Sequence, residues 1–373
     1  MSKNKSGGVQ SPLSFFDYGL YLFTFLCPIF FLFNWDLNMM QGLFFVFGVF
    51  FLLGLSFFSK RQINYFNKYL GLIVIWSMAM VFIHTFKFSL TQGYTASFLN
   101  FCLLSEGFIY VLCGCLLFYL IVSFKKNFNI VYPLIAINLL NFIFAISQAM
   151  GYKWIWIKNM SQVSGLMGIA PHLIIFSAVS LPILFNYKPI LSIMPVTNII
   201  LGHIYWGNSF SGIFAFLSGI TLFFCLKKQY KKMFVWILIL ITLIFVKWDV
   251  FILKALTRID LYIAVLNEIK QNVLLGQGFD NSMSMNMINI GKGWMYRHND
   301  YFNIARDLGI PFLIFIVLGL RNVLKKVNID YLWLAIIILM ICSFTWTSIY
   351  FARLGSIGIV LLALKEREKY ELC

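Results

Sequence analysis

The sequence predicts an all-α, polytopic integral membrane protein of about twelve transmembrane helices with one long extracytoplasmic loop. Three observations predict it. Hydrophobic residues make up 61% of the 373 residues and charged residues only 11%, against about 45–50% and about 25% in soluble domains. Apolar runs near the roughly 20 residues that a bilayer requires recur along the whole chain. Lys and Arg are sorted by loop, as the positive-inside rule demands. Because a helical bundle in lipid grows by adding spans, length does not count domains here, and a single integral domain over 1–373 is expected.

The predicted spans are 14–34, 41–58, 69–86, 101–123, 128–149, 166–186, 189–204, 208–226, 233–248, 309–324, 331–349 and 353–364. The seventh and the last are short. No small-x-small cleavage site follows the first apolar run, so that run reads as a retained span. Placing the N-terminus in the cytoplasm puts 18 of the 29 Lys and Arg on the inner side, in clusters such as Lys60-Arg61, Lys125-Lys126, Lys227-Lys228, Lys231-Lys232 and Lys325-Lys326. Both termini are then cytoplasmic. The net charge of +16 is mostly topological, and it calls for no nucleic-acid partner. The seven cysteines lie mostly in apolar runs, and Cys113-Gly114-Cys115 lacks the four-ligand pattern of a zinc site, so they read as small core residues.

The loop over 249–308 is the one long polar interruption, and the orientation above makes it extracytoplasmic. Ile259, Tyr262, Ile263, Leu266 and Ile269 recur at helical spacing and predict an amphipathic helix over 256–272. Gly276-Gln277-Gly278 breaks it, and 282–293 reads as irregular. A short helix follows His298. Asn299 is suited to cap it and Asp300 to its first turn, Gly309 to end it, and Pro311 to open the next span. Tyr301, Ala305 and Leu308 share one face, and Asp300, Asn303 and Asp307 the other. His298 therefore falls just before a helix that returns to lipid, near the membrane surface.

The run His298-Asn299, nine residues and Gly309 resembles the signature of the O-antigen ligase and O-antigen polymerase superfamily of bacterial envelope glycosyltransferases. Phe312 departs from its last position, where Gly, Thr or Tyr stands. Upstream, Arg258-Ile-Asp-Leu-Tyr262 and Val273-Leu-Leu-Gly-Gln-Gly-Phe279 are similar to an Arg that opens a helix and a Pro-Leu-x-Gly-x-Gly-like turn. Ser164–His172 is a weaker echo of a Gly-x-x-x-x-Pro-Asn-like entry to a span. A Thr/Ser-Arg pair common in relatives is replaced over Gly207–Gly212 by Phe210, which leaves its role with the lipid diphosphate to another cation such as Arg353 or Lys254. The match covers 257 to 320; elsewhere only hydropathy agrees.

The resemblance implies a GT-C-like fold in the bacterial inner membrane. It implies transfer of a glycan from undecaprenyl diphosphate to a hydroxyl of a glycan or lipid acceptor, at the periplasmic or outer face, with no cofactor and no metal. His298 would be the general base, since imidazole titrates near neutral pH. Arg258, Arg297, Asn299 and Arg353 would bind substrate, the guanidinium fork being well shaped for phosphate oxygens. Each has a plainer reading: a loop histidine that only hydrogen-bonds, or arginines that face headgroups or snorkel. Arg306 is expected to pair with an acid on its own helix. His84, His172 and His203 read as structural, and Glu106 as the one acid inside a span, a functional candidate by default. Ligase and repeat-unit polymerase both stay open, as do a transporter or flippase of lipid-linked sugars and a structural subunit.

Overall fold

The computed structural model describes residues 13–29, 37–92, 94–152, 166–167, 170–206, 210–246, 248–278, 287–289, 294–296, 299–325, 328–345 and 352–371. Its helices in chain order are α1 (Phe15–Ile29), α2 (Leu37–Ser56), α3 (Lys68–Gln92), α4 (Tyr94–Phe124), α5 (Val131–Ala149), α6 (Ala170–Tyr187), α7 (Ile193–Trp206, after a short 3-10 turn at Pro189–Ser192), α8 (Phe210–Leu226), α9 (Tyr230–Val246), α10 (Trp248–Gln271), α11 (Asp300–Leu324), α12 (Tyr331–Thr345) and α13 (Ala352–Glu371). Every predicted apolar run is matched by a helix. Among the described residues, four stretches are long and apolar enough to cross a membrane (68–86, 131–149, 170–187 and 300–324), and five shorter apolar stretches accompany them. The apolar helices mark a membrane-embedded protein, and the described residues are helical apart from turns, loops and one small exception. Strands β1 (Met287–Asn289) and β2 (Trp294–Tyr296) pair antiparallel, Ile288 opposite Met295, within a stretch expected to be irregular.

Helix α6 is the hub. It is buried from Ala170 to Leu184 and packs on α5, α7, α8 and α12. In lipid, helices associate through close packing and polar contacts rather than hydrophobic exclusion, so small residues mark the crossings. A Cβ at Gly212 of α8 would lie 2.5 Å from the Ile174 side chain of α6, and one at Gly219 would lie 2.6 Å from Ile338 of α12. Polar side chains bridge the same layer. Asn138 of α5 donates to the Ser180 hydroxyl of α6 at 3.0 Å and to its own Leu134 carbonyl at 2.8 Å. The described cysteines, Cys27, Cys113, Cys115, Cys225 and Cys342, are thiols and not halves of a disulfide.

One end of the bundle is closed by charge. Asp17 at the start of α1 is fully buried and accepts from the backbone N–H of Lys126 (3.0 Å) and Asn127 (3.2 Å). Lys365 of α13 has no exposed surface and pairs with Asp330 (2.7 Å) and Glu368 (2.6 Å). Arg367 donates to the Val122 carbonyl and to Glu371, which also takes Lys125 at 3.1 Å. Lys369 reaches Glu366 and the Asn322 carbonyl. Gln62 and Ile63 donate from the backbone to Ser123. Burying ions is costly unless each finds a partner, and these do. The segments so joined, near residues 14–17, 59–67, 122–127, 322–330 and 365–371, are those the Lys/Arg distribution assigns to one side of the membrane.

Candidate functional site

The opposite end carries the polar segment. Helix α10 begins at Trp248, earlier than the expected residue 256, and it has two apolar faces rather than one. Leu261, Val265 and Ile269 are buried against Phe302 and Ala305 of α11, while Ile259, Ile263 and Leu266 point outward. The predicted stripe therefore mixes residues of both faces.

Helix α11 opens as the sequence suggests. Asn299 is extended (φ −156°, ψ 110°), and its Oδ1 accepts from the Phe302 N–H at 3.0 Å. Its Nδ2 donates to the Phe344 carbonyl at the end of α12 (3.2 Å), which also receives the Tyr262 hydroxyl (2.6 Å). Both ends of the Asn299 amide are thus engaged by protein, and the residue is 3% exposed. Helices α10, α11 and α12 meet at that carbonyl. Tyr301 adds a bond to Met340 at 3.1 Å.

Gly309 ends the short helix, as its place in the sequence suggests, and Pro311 stands in the first turn of the next, so that α11 is two helices joined at a kink. Gly309 sits at φ 84° and ψ 164°. That region of backbone space is open in practice only to glycine. The kink releases backbone groups that must be paired elsewhere. The Arg306 carbonyl loses Ile310 N–H, which turns to the Val273 carbonyl (2.9 Å). The Asp307 carbonyl faces Pro311, which has no N–H. Gln277 N–H takes the first at 2.7 Å and Gly278 N–H the second at 2.9 Å. The turn 273–278 is therefore the missing hydrogen-bonding partner of the kink. The fit is backbone on backbone: a Cβ at Gly276 would lie 2.5 Å from the Asp307 carbonyl, and one at Gly309 would collide with that of Leu274.

Helix α3 clasps this junction from the other side. The Trp76 indole donates to the Leu308 carbonyl at 2.9 Å, and His84 Nε2 lies 3.2 Å from the Leu275 carbonyl, which places its proton on Nε2. Met80, Ile304, Leu308 and Phe312 form an apolar cluster there. Phe312, the departure from the family signature, is a core residue of that cluster and 2% exposed.

The inner face of the short helical segment is polar and buried. Asp300 and Asn303 have no exposed surface and Asp307 is 2% exposed. Arg306 donates to Glu268 of α10 at 3.1 Å and to Asp307 at 2.8 Å, tying the two helices together. The sequence predicts the partner on its own helix but not Glu268. Arg258 stands half-buried one turn before that contact face, beside Tyr262; burial pulls its guanidinium below the ordinary value and the Tyr262 hydroxyl opposes the shift. Sequence reasoning passes over Trp76, reads His84 as structural without a partner, and misses the burial of Asp300 and Asp307. Only their spacing at i and i+7 hints at a shared face.

Arg297 and His298 lie outside the described residues, as do the side chains of Arg353, Lys254, Phe210 and Glu106, though Arg353 falls at the start of α13 and Phe210 at the start of α8. Asn299, the residue that follows His298 in the sequence, is held by the Phe302 N–H and the Phe344 carbonyl. Among the described residues no group of three His, Cys, Asp or Glu could hold a metal ion. No protein-family model matches the chain, and no curated protein matches it.

Proposed function

We propose that the protein is an inner-membrane glycosyltransferase of the O-antigen ligase and polymerase kind, moving a glycan from undecaprenyl diphosphate to an acceptor hydroxyl on the extracytoplasmic side. The observation that carries this reading is the junction. Of the segments that resemble the family in sequence, Val273–Gly278 and Asn299–Gly309 interlock through backbone hydrogen bonds, and Arg258–Tyr262 joins them because Tyr262 and Asn299 share the Phe344 carbonyl of α12. A motif that is one physical unit is a better candidate for a shared task than three separate matches.

In this reading the twelve apolar helices are spans, with α10 lying between the ninth and tenth. His298 accepts the proton of the acceptor hydroxyl as its oxygen bonds to the anomeric carbon. The bond from that carbon to diphosphate breaks, and the lipid diphosphate leaves with the electron pair. Arg258, joined by Arg297 or Arg353, holds the departing anion. Diphosphate is already a good leaving group, so the protein's part is mainly to position and to balance charge. The acceptor decides between ligase and polymerase: a core sugar or other lipid or protein for the first, a second lipid-linked repeat for the second.

The deciding experiment is His298→Ala, with transfer to the candidate acceptor measured alongside the amount of protein in the membrane. General-base help is worth about 10²–10⁴-fold, so transfer should fall by that order at unchanged protein level. Normal transfer by a stable variant would remove His298 from the mechanism, and unaltered transport of lipid-linked sugar by the same variant would favour the flippase reading.

A further inference from the structure

We propose that the outward face of α10 is a membrane-docking surface, embedded in the acyl region of the leaflet on the side of the 248–299 segment. Ile252, Leu256, Ile259, Ile263 and Leu266 are all exposed, from 38% at Ile252 to 57% at Leu256. Their 4-3-4-3 spacing makes one continuous stripe along the helix. The stripe is opposite the face that packs on α11 through Leu261, Val265 and Ile269. A helix with a protein-bound face and a separate aliphatic face cannot leave the second in water without exposing a large apolar patch.

The hydrocarbon of the bilayer is the occupant the observations favour. The stripe is continuous in the chain with lipid-facing surface: α9 ends at Val246 with Ile241 and Phe245 exposed, and α11 leaves the junction with Ile310, Ile314 and Val317 exposed. Its composition is Ile and Leu alone, whereas protein-binding surfaces concentrate Trp, Tyr, Arg and Met. Exposed Asp260 and Asn267 edge the stripe, and Lys270, four residues after Leu266, closes its end, as polar residues do on helices that lie in the membrane interface. The helix is charged enough to rule out a spanning role, carrying Asp249, Lys254, Arg258, Asp260, Glu268 and Lys270. Lying flat, α10 holds Arg258 on its protein side, three, four and seven residues before Leu261, Tyr262 and Val265, at the depth of lipid phosphates.

A photo-reactive benzoyl-phenylalanine placed singly at Leu256, Ile259 or Ile263 tests this in the full chain, reconstituted in nanodiscs of phosphatidylethanolamine and phosphatidylglycerol. Phe245 is the lipid-facing control, and Asp260 and Asn267 are the edge controls. Lipid adducts at the stripe positions should approach those at Phe245 and exceed those at Asp260 several-fold. Stripe yields no higher than at Asp260 would overturn the proposal in favour of a solvated helix. Cross-links between two chains would overturn it in favour of a homo-oligomeric interface. No transfer reaction is measured, so the outcome is independent of the catalytic reading.

Discussion

Arg258 and Gly309 show how differently two residues of one region respond to change. Arg258 is half-buried, and its guanidinium lies beside Tyr262, which ties α10 to α12. If it grips diphosphate, its planar fork matters as well as its charge. Arg258→Ala should then abolish most transfer, and Arg258→Lys should restore only part of it. Full activity of the Lys variant would reduce the role to simple electrostatics, and a silent Ala variant would take Arg258 out of the site. Gly309 has no chemistry to lose. Its backbone stands at φ 84° and ψ 164°. A side chain held there is strained by about 1–3 kcal/mol, before its collision with the Leu274 carbonyl. Gly309→Ala should lower the thermal midpoint in detergent and speed amide exchange at Gln277 and Gly278, whose N–H groups bond to the kinked segment. Wild-type exchange in that variant would mean that the turn is held by something else. Asn299 and Gly309 are readable in the sequence because a cap and a break are local chemistry. The partners of the kink are not, since nothing in Arg306 or Asp307 says that Gln277 and Gly278 will find them.

At the level of helices, α11 is fixed between two neighbours by unlike means. Helix α10 meets it with Leu261, Val265 and Ile269 and the Glu268–Arg306 pair. Helix α3 meets it with Met80 and the Trp76 indole, and reaches the adjoining turn through His84 at the Leu275 carbonyl. Removing one of those donors should be felt. Trp76→Phe keeps an aromatic ring but leaves the Leu308 carbonyl without the indole, and loss of a buried partner costs about 1–3 kcal/mol. A drop in thermal midpoint is expected, together with lower transfer per folded molecule; an unchanged midpoint would show that α3 contributes packing alone. The apolar helices themselves are legible because about twenty apolar residues in a row admit little else. The amphipathic helix is legible only as a helix. Periodicity cannot separate two apolar faces when one meets protein and the other does not, so it places Ile259 and Ile269 on one stripe although they lie on different sides.

For the molecule as a whole, the sorting of basic residues and the contacts tell one story. Loops assigned to a single side by charge meet through Asp17, Arg367, Lys365 and Lys369 at one end, and Leu275, Asn299 and Phe344 gather at the other. Reporter fusions after Lys126, Gln229 and Met285 should read cytoplasmic, cytoplasmic and extracytoplasmic. A cytoplasmic result at Met285 would put the site on the wrong face for a lipid-linked glycan and end the transferase reading. What the sequence could not disclose at this scale is the burial of charge. Lys365, Glu366 and Arg367 look like an ordinary solvated terminus, yet they are enclosed. The segment of Val122 and Lys125, far earlier in the chain, comes back to meet this terminus at Arg367 and Glu371.

That enclosure sets a schedule for assembly. A chain threaded into the bilayer from its beginning delivers α1 to α4 first, but the carbonyl of Val122 and the ammonium of Lys125 find their partners only when Arg367 and Glu371 have been synthesised. Until then the early helices wait with an open seam. An appendage fused near residue 371 would therefore interfere less with any one helix than with the last step of closing them all.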